Sequence, residues 1–220
     1  MTTIKIEVWG KRALFSRPEF RVEKVSYDVM TPAAARGILE AIYWHPGMRY
    51  IIKSIAVLNP IKFERIKSNG VKRKLPGKSM RKAAEGRAPV NNINPIYTSE
   101  CPQQSTAMYL KDVHYVIEAS IIMTDKANPS DNLTKFYKML ERRAQKGQCY
   151  HHPYLGTREC AADFRLWEKD TMPINPDMTN IDLGWMLHDM QYRNKVITPQ
   201  FFRAAIHNGI VDCDYQEVIA

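Results

Sequence analysis

Residues 108–123 read MYLKDVHYVIEASIIM, and this stretch carries the clearest structural pattern in the chain. From Val113 onward an apolar side chain stands at every second position, which is the period of a strand with one buried face. Asp112, His114 and Glu118 fall on the opposite parity, so their side chains point away from that face. The pattern predicts a long strand in a sheet whose second face is polar.

The segments around this strand predict a mixed α+β domain. Thr31-Pro32 predicts the start of a helix, because the hydroxyl caps the first turn and proline suits its first position. Pro46 requires the helix to end near Trp44, since the residue before a proline disfavours helical geometry. Alternating and amphipathic patterns predict further strands at 3–9, 50–66 and 156–167 and a second helix at 132–146.

The predicted order of elements is β-α-β-β-α-β. It is typical of a ferredoxin-like, RNA-recognition-like domain, in which two helices cover one face of an antiparallel sheet. We expect this domain at residues 1–168. Residues 169–220 predict a small C-terminal antiparallel β-sheet domain of short strands, after a turn-rich stretch at 173–182. Within it, His207-Asn208-Gly209 lies between two apolar runs and is typical of a hairpin turn.

The excess positive charge is concentrated in one segment. Residues 62–87 contain ten Lys or Arg and two Glu, so they carry +8 of the formal net charge of +9. Interrupting Gly and Pro residues predict a long loop or mobile hairpin rather than a helix. A basic segment on a nearly neutral body favours a polyanionic partner, and a solvated loop without a partner is the alternative. We expect this basic insertion, at about residues 67–107, to contact nucleic acid through Lys72, Arg73, Lys74, Arg81 and Lys82.

Composition excludes several classes of protein. A hydrophobic fraction of 45% excludes a disordered chain, and no apolar block approaches the length of a membrane span. The N-terminus lacks an apolar signal core, so we expect a cytoplasmic protein without a membrane partner. The four cysteines are predicted to be reduced. A zinc site formed by Cys149, His151, His152 and Cys160 fits no standard finger spacing, so no metal and no cofactor are predicted.

Five stretches resemble a known family in the same order along the chain. Residues 25–44, VSYDVMTPAAARGILEAIYW, are the longest and most specific of them, and the others are 15–20, 110–115, 154–160 and 183–190. Together they are similar to the type I-C (Dvulg subtype) members of the fifth CRISPR-associated protein family, within the RAMP superfamily of RNA-binding proteins. The resemblance implies a ferredoxin-like N-terminal domain followed by a smaller β-sheet domain.

The resemblance also implies a function. Members cleave precursor CRISPR RNA within the repeat, at the base of its stem-loop, without a metal ion. They then remain on the 5′ handle as a subunit of the DNA-surveillance complex, so the implied partners are the repeat RNA and the other subunits. Two alternatives stay open. One is a non-catalytic RNA-binding architectural subunit, and the other is a protein that binds or cleaves double-stranded DNA.

Cleavage by the ribose 2′-hydroxyl needs a base, an acid and positive charge beside the phosphate. The resemblance implies a tyrosine at the end of the first helix, which is Tyr43, and a lysine and a histidine in the central strand region, which we assign to Lys111 and His114. Strict alternation places these two on opposite faces, so a bulge between them is required. His45, two residues from Tyr43, is the alternative histidine.

The remaining candidates are predicted to hold RNA. Trp44 offers a ring on which an unpaired base can stack, and His45 lies beside it. Arg17 and Arg158 lie within the family-like stretches and suit phosphate contacts. Each of these residues also has an ordinary packing or surface role as its alternative.

Overall fold

The computed structural model describes residues 2–20, 23–73, 77–87, 97, 99–193 and 196–214. The helices are α1 (Pro32–Ile42), α2 (Gly77–Ala84) and α3 (Leu133–Gln145). The strands are β1 (Ile4–Ala13), β2 (Lys24–Val25), β3 (Met48–Val57), β4 (Phe63–Val71), β5 (Pro102–Met123), β6 (Asp163–Leu166), β7 (Asn180–Arg193), β8 (Val196–His207) and β9 (Ile210–Asp212).

Seven strands follow one another in the hydrogen-bonded order β6-β1-β5-β3-β9-β8-β7, while β2 and β4 pair with β5 beside this path. The pairs along the path are antiparallel. A mixed α+β architecture built on an antiparallel sheet is therefore confirmed. The chain separates into a main unit, Met1–Glu64 with Met108–Ala220, and a basic unit, Arg65–Ala107. A domain boundary at residue 168 stays a prediction.

Alternation along β1 and β5 gives the sheet of the main unit two different faces. On one face, Val113, Tyr115 and Ile117 are buried in the same cluster as Leu39 of α1 and Phe136 of α3. The opposite parity carries polar residues, and β1 and β5 bring them side by side as the pairs Trp9–His114 and Lys5–Glu118. We call this second side the polar face. It is the surface that residues 108–123 predicted.

Both helices of the main unit begin at side-chain caps. The Thr31 hydroxyl accepts the N–H of Ala34 at 3.2 Å, and the Asn132 carbonyl accepts the N–H of Lys135 at 2.8 Å. Such caps satisfy N–H groups that have no partner inside the helix. The predicted helices are therefore confirmed to within a residue or two.

The basic unit is more regular than the sequence predicted. β4 pairs with β5, and the N–H of Lys72 donates to the carbonyl of Cys101 at 3.0 Å. The prediction that this segment contains no helix is wrong for α2. Gly77 is the first residue of the helix and Gly86 follows its end, so neither interrupts it, while the Lys, Arg, Met and Ala residues between them favour helical geometry. Lys74 lies outside the described residues.

The C-terminal strands are longer than predicted. β7 has 14 residues and β8 has 12, and together they form a long hairpin. The prediction of short strands after a turn-rich stretch is wrong here, because β7 is irregular. Gly184 has φ +72°, and the register shifts between Asp182 and Gly184 and again between Leu187 and Asp189. Each shift breaks the two-residue period on which the sequence prediction depended.

Two turns explain smaller differences. The hairpin at Asn208-Gly209 is confirmed, since both residues have positive φ, at 52° and 82°, as a type I′ turn requires. Only the last part of the predicted strand 156–167 is a strand. Gly156 turns the chain with φ +86°, and a Cβ there would lie 2.0 Å from the carbonyl oxygen of Leu14. The chain therefore turns against β1 before β6 begins.

No helix in the described ranges is long and apolar enough to cross a bilayer.

Candidate active site

The end of α1 positions the first candidate residue. Tyr43 is the C-cap, and its N–H still donates to the carbonyl of Leu39 at 2.9 Å while its backbone is already extended. The hydroxyl of Tyr50 in β3 donates to the Tyr43 carbonyl at 2.7 Å. The residues after Tyr43 therefore leave the helix at a point fixed by the sheet, as Pro46 predicted.

Tyr43 packs between α1 and α3. The residue is 8% exposed, and its ring centroid lies 6.4 Å from that of Phe136 and 5.0 Å from the guanidinium carbon of Arg143. Burial raises the pKa of the Tyr43 phenol; the charge of Arg143 opposes this rise and that of Asp131 adds to it. The hydroxyl forms no hydrogen bond with the described residues. Tyr43 is thus a neutral phenol at physiological pH and can donate a proton.

His45 lies beside Tyr43 on the same aromatic support. Its ring centroid is 5.2 Å from that of Phe136. Nδ1 accepts the N–H of Gly47 at 3.1 Å and faces Oδ2 of Asp131 at 3.8 Å. Asp131 in turn contacts the ammonium of Lys135 at 3.4 Å. The imidazole of His45, the phenol of Tyr43 and the ammonium of Lys135 therefore lie together near the end of α1.

Asp131 stays ionised within this arrangement. The N–H of Asn128 lowers the pKa of Asp131; burial works against this effect, and Lys135 and His45 lower it further. Arg143 is fixed as well, since its Nη1 donates to the carbonyl of Ile42 at 2.8 Å. We call Tyr43, His45, Lys135 and Arg143 the helix-end group. It combines proton-exchanging side chains with two positive charges, which is the set that RNA cleavage requires.

Exposed aromatic rings border the helix-end group. Trp44 is 58% exposed and Tyr150 is 84% exposed. The N–H groups of Tyr150 and His151 both reach the carbonyl of Ala41, at 2.9 and 3.3 Å, so this loop is held against the end of α1. The His151 ring stacks on Tyr154 with centroids 6.4 Å apart. Solvent-facing rings of this kind suit the stacking of unpaired bases.

Lys111 and His114 lie on the polar face. Asp112 has φ +49°, and the burial of both Leu110 and Val113 shows that the side-chain parity changes there. The break in strand alternation that the sequence required between Lys111 and His114 is therefore present. It turns both side chains to the same side of the sheet.

The structure does not bring these two residues to Tyr43. Tyr50, which holds the Tyr43 carbonyl, is paired with Ile121 of β5. His114 stands seven residues from Ile121, which is about 23 Å along the strand. It also lies on the face of the sheet opposite to the helices. The three candidates therefore occupy two separate places, and His45 is the histidine beside Tyr43.

His114 belongs to a second polar arrangement. Its Nε2 lies 2.7 Å from Oε1 of Glu7, and Arg165 of β6 forms two hydrogen bonds with the same carboxylate. The rings of Trp9 and His114 meet edge to face at 6.0 Å. These side chains line a depression of 470 Å³. Sequence reasoning missed Glu7 and Arg165, although the alternation of β1 already placed Glu7 on the polar parity.

The carboxylate of Glu7 makes stability depend on pH. Burial alone would raise the pKa of Glu7, but hydrogen bonds from Arg165 and His114 outweigh it and hold the pKa below its ordinary value of 4.5. A lowered pKa stabilises the fold above the unfolded pKa, and this contribution is lost as pH falls through the folded value. We expect Glu7→Gln to lower the free energy of unfolding at pH 7, with the difference shrinking as the pH falls below 4.5.

Urea unfolding across this pH range measures the effect. Glu141→Gln, which removes an exposed carboxylate from α3, serves as the control and should leave the pH profile unchanged. Parallel profiles for wild type and Glu7→Gln would contradict the prediction.

The other sequence candidates differ in how free their charges are. Arg17 contacts Asp28 at 2.5 Å and Glu19 at 3.7 Å, and its guanidinium lies over the ring of Tyr27. The positive charge of Arg17 is therefore already paired within the protein. Arg158 is exposed in the loop that follows Gly156. In the basic unit, the exposed candidates are Lys72, Arg73, Arg81 and Lys82, of which Arg81 pairs with Glu85 at 2.9 Å.

Sequence reasoning also missed Lys135 and Arg143. A helical period was the available signal, since Arg143 stands seven residues after the core residue Phe136 and so lies on the same side of α3. Within the described ranges, no three His, Cys, Asp or Glu side chains lie together in a way that would hold a metal ion.

The fold and the helix-end group define an α+β protein with proton-exchanging residues at a helix end and a separate cationic unit. The chain belongs to the family described as "CRISPR-associated protein (Cas_Cas5)", whose model matches residues 3–214. The family resemblance inferred from the five sequence stretches is confirmed.

Two relatives match almost the whole chain, and both are named "CRISPR pre-crRNA endoribonuclease Cas5d". The protein of Mannheimia succiniciproducens is 44% identical over 215 residues, which are 95% of this chain and 93% of that protein. The protein of Thermus thermophilus is 40% identical over 240 residues, with 99% and 95% coverage.

Solved structures share the fold. One titled "Crystal Structure of CRISPR-associated Protein" has a TM-score of 0.70 at 25% identity and covers 100% of this chain and 97% of its own. A chain of a "CRISPR RNA-guided surveillance complex" has a TM-score of 0.53 at 10% identity, with 99% and 89% coverage, and shows a likeness of fold alone.

Proposed function

We propose that this protein is a metal-independent endoribonuclease that cleaves precursor CRISPR RNA within the repeat, at the base of the stem-loop. It then remains on the 5′ handle as a subunit of the type I-C surveillance complex, in the cytoplasm where the transcript is made. The observation that carries this proposal is the 44% identity, over 95% of the chain, to a protein named for that activity.

A ferredoxin-like arrangement is part of the proposal. The order β6-β1-β5-β3 and the packing of α1 and α3 on one face support it, since this is the strand order that a β-α-β-β-α-β chain adopts in that fold. Such a sheet leaves its second face available to RNA. We also propose the small C-terminal β-sheet domain, at residues 169–220, for contacts within the complex.

The helix-end group is the proposed place of cleavage. His45 takes the proton of the 2′-hydroxyl through Nε2; in this tautomer its Nδ1 carries a proton, releases the N–H of Gly47 and donates to Asp131 instead. The 2′-oxygen then bonds to phosphorus as the bond to the 5′-oxygen breaks, and Tyr43 donates its proton to the departing oxygen. The products are a 2′,3′-cyclic phosphate and a 5′-hydroxyl. Lys135 and Arg143 balance the charge that develops on the phosphate.

The other candidates are proposed to hold RNA. Trp44 stacks on an unpaired base beside the cleaved bond, and Arg158 contacts phosphate. Lys111 and His114 lie on the polar face, away from Tyr43, so we propose binding rather than proton transfer for them. Arg17 is a weaker candidate because Asp28 and Glu19 already hold its charge.

Incubation of the purified protein with a repeat RNA in EDTA tests the proposed function. We expect cleavage at one site, a cyclic phosphate product, and no cleavage when the nucleotide before the cut carries a 2′-deoxy sugar, since the attacking group is then absent. Tight binding with intact RNA would instead support the architectural subunit. Degradation of duplex DNA that depends on added metal would support a DNA-cleaving protein.

The basic unit is proposed to bind the RNA backbone. Lys72→Gln with Arg73→Gln should weaken RNA binding and make its salt dependence shallower, because each lost phosphate contact reduces the slope by about 0.7 for a single strand. Binding titrations at several salt concentrations measure the slope. Lys53→Gln with Arg203→Gln removes the same charge from the main unit and is the matched control. Equal salt slopes for both variants would show that the basic unit is a solvated surface without a partner.

A further inference from the structure

We propose that the depression on the polar face, between β1, β5 and β6, binds one unpaired nucleotide of the RNA and prefers guanine there. Trp9 and Arg165 hold the base, Asp163 contacts its hydrogen-bonding edge, and Lys11 contacts its phosphate. This inference rests on the proposed function in one respect, which is that the chain binds RNA. It adds a site that selects a base and lies apart from the helix-end group.

The size and lining of the depression suit a nucleotide. Its volume of 470 Å³ falls within the range of small-molecule sites. The lining includes an indole, a guanidinium, an imidazole, an ammonium and the three carboxylates of Glu7, Asp112 and Asp163. In the described part of the chain, Lys11 and Asp163 form no ion pair or side-chain hydrogen bond. Both charges are therefore available to a ligand.

Glu7 holds the walls of the depression rigid. The Arg165 side chain is 65% exposed, yet two hydrogen bonds to the buried Glu7 carboxylate fix its guanidinium 5.5 Å from the centroid of the Trp9 ring. The same carboxylate fixes His114, whose ring meets the edge of Trp9. An exposed arginine normally loses much rotamer freedom on binding, and fixing it beforehand removes that cost. Glu7 is thus a positioning residue for the proposed site.

The chemistry of Asp163 gives the base preference. An ionised carboxylate only accepts hydrogen bonds. Guanine presents two adjacent N–H donors on its pairing edge, which match the two carboxylate oxygens. Uracil presents a single N–H between two carbonyl oxygens, and these oxygens face the carboxylate unfavourably. Asn59 leaves its carbonyl oxygen free, since its Nδ2 donates to the backbone of Asp112 at 2.7 Å. The lining of the depression therefore includes a further acceptor.

Titration of the full-length protein with GMP and with UMP tests the inference. The NMR signal of the Trp9 indole N–H is the readout, assigned by its loss in Trp9→Phe. We expect GMP to shift this signal at concentrations at least about fivefold lower than UMP, which matches the energy of one good base contact. Asp163→Asn should remove the preference, because an amide both donates and accepts. Asp125→Asn, which changes an exposed carboxylate at the other end of β5, is the matched control.

The outcomes separate this site from the proposed cleavage. Equal binding of GMP and UMP, or a Trp9 signal that neither nucleotide shifts, would overturn the nucleotide site even if the repeat RNA is cleaved. A selective GMP shift in a protein that leaves the repeat RNA intact would support the site and contradict the nuclease. Glu7→Gln should weaken GMP binding without changing the guanine preference, since Glu7 orients the walls and does not touch the base.

Discussion

We expect Tyr43→Phe to slow cleavage of the repeat RNA by about 10²–10⁴-fold, which is the usual contribution of a positioned proton donor. The ring, its contact with Phe136 and the guanidinium of Arg143 over its face all remain, because the substitution removes only the hydroxyl. RNA affinity and the melting temperature should therefore stay close to those of the wild type. Single-turnover cleavage with excess protein measures the chemical step apart from binding.

The control for this experiment is Tyr109→Phe, which removes a partly buried phenol from β5 of the main unit and should cleave normally. Burial raises the pKa of Tyr109 as it does that of Tyr43, so the two substitutions are matched in local chemistry. A full cleavage rate in Tyr43→Phe would exclude the phenol as the acid. Equal losses in both variants would show a general effect on the fold instead.

Local physics explains which elements of the fold were predictable. The cap at Thr31 and the turn at Asn208-Gly209 each depend on a few consecutive residues, so the local sequence is enough to predict them. The long hairpin of β7 and β8 was missed because its bulges near Gly184 hide the strand period. The helix α2 escapes prediction because Gly77 and Gly86 lie at and just beyond its ends, and glycine is typical of loops as well as of helix boundaries.

The candidate site also has a part that the local sequence predicts and a part that only tertiary packing brings together. Tyr43 and His45 are neighbours in sequence, and Pro46 marks the end of the helix that carries them. Their cationic partners Lys135 and Arg143 come from α3, and only the packing of α3 against α1 brings them near. The assignment of Lys111 and His114 to the same place rested on the family resemblance, which implies a lysine and a histidine in the central strand region. Strand position says nothing about which end of the sheet a helix terminus will reach.

The second prediction with a large expected effect distinguishes the role of His45 from that of His114. His45→Ala should slow single-turnover cleavage by about 10²–10⁴-fold at saturating RNA, because the proposed base for the 2′-hydroxyl is lost. His114→Ala should instead raise the RNA concentration needed for half-saturation and change the saturated rate by less than about threefold, as expected for a contact that contributes equally to bound substrate and transition state. A complete concentration series for each variant provides both quantities.

Folding must be controlled in this comparison, because the His45 ring packs on Phe136 and His114 pairs with the buried Glu7. His45→Gln keeps much of the side-chain volume and still offers an oxygen to the N–H of Gly47, so it should fold normally and remain slow. If His114→Ala loses the chemical step while His45→Gln retains it, catalysis belongs to the polar face. Tyr43 would then be a packing residue at the end of α1, because Ile121, which pairs with the Tyr50 that holds Tyr43, lies about 23 Å along β5 from His114.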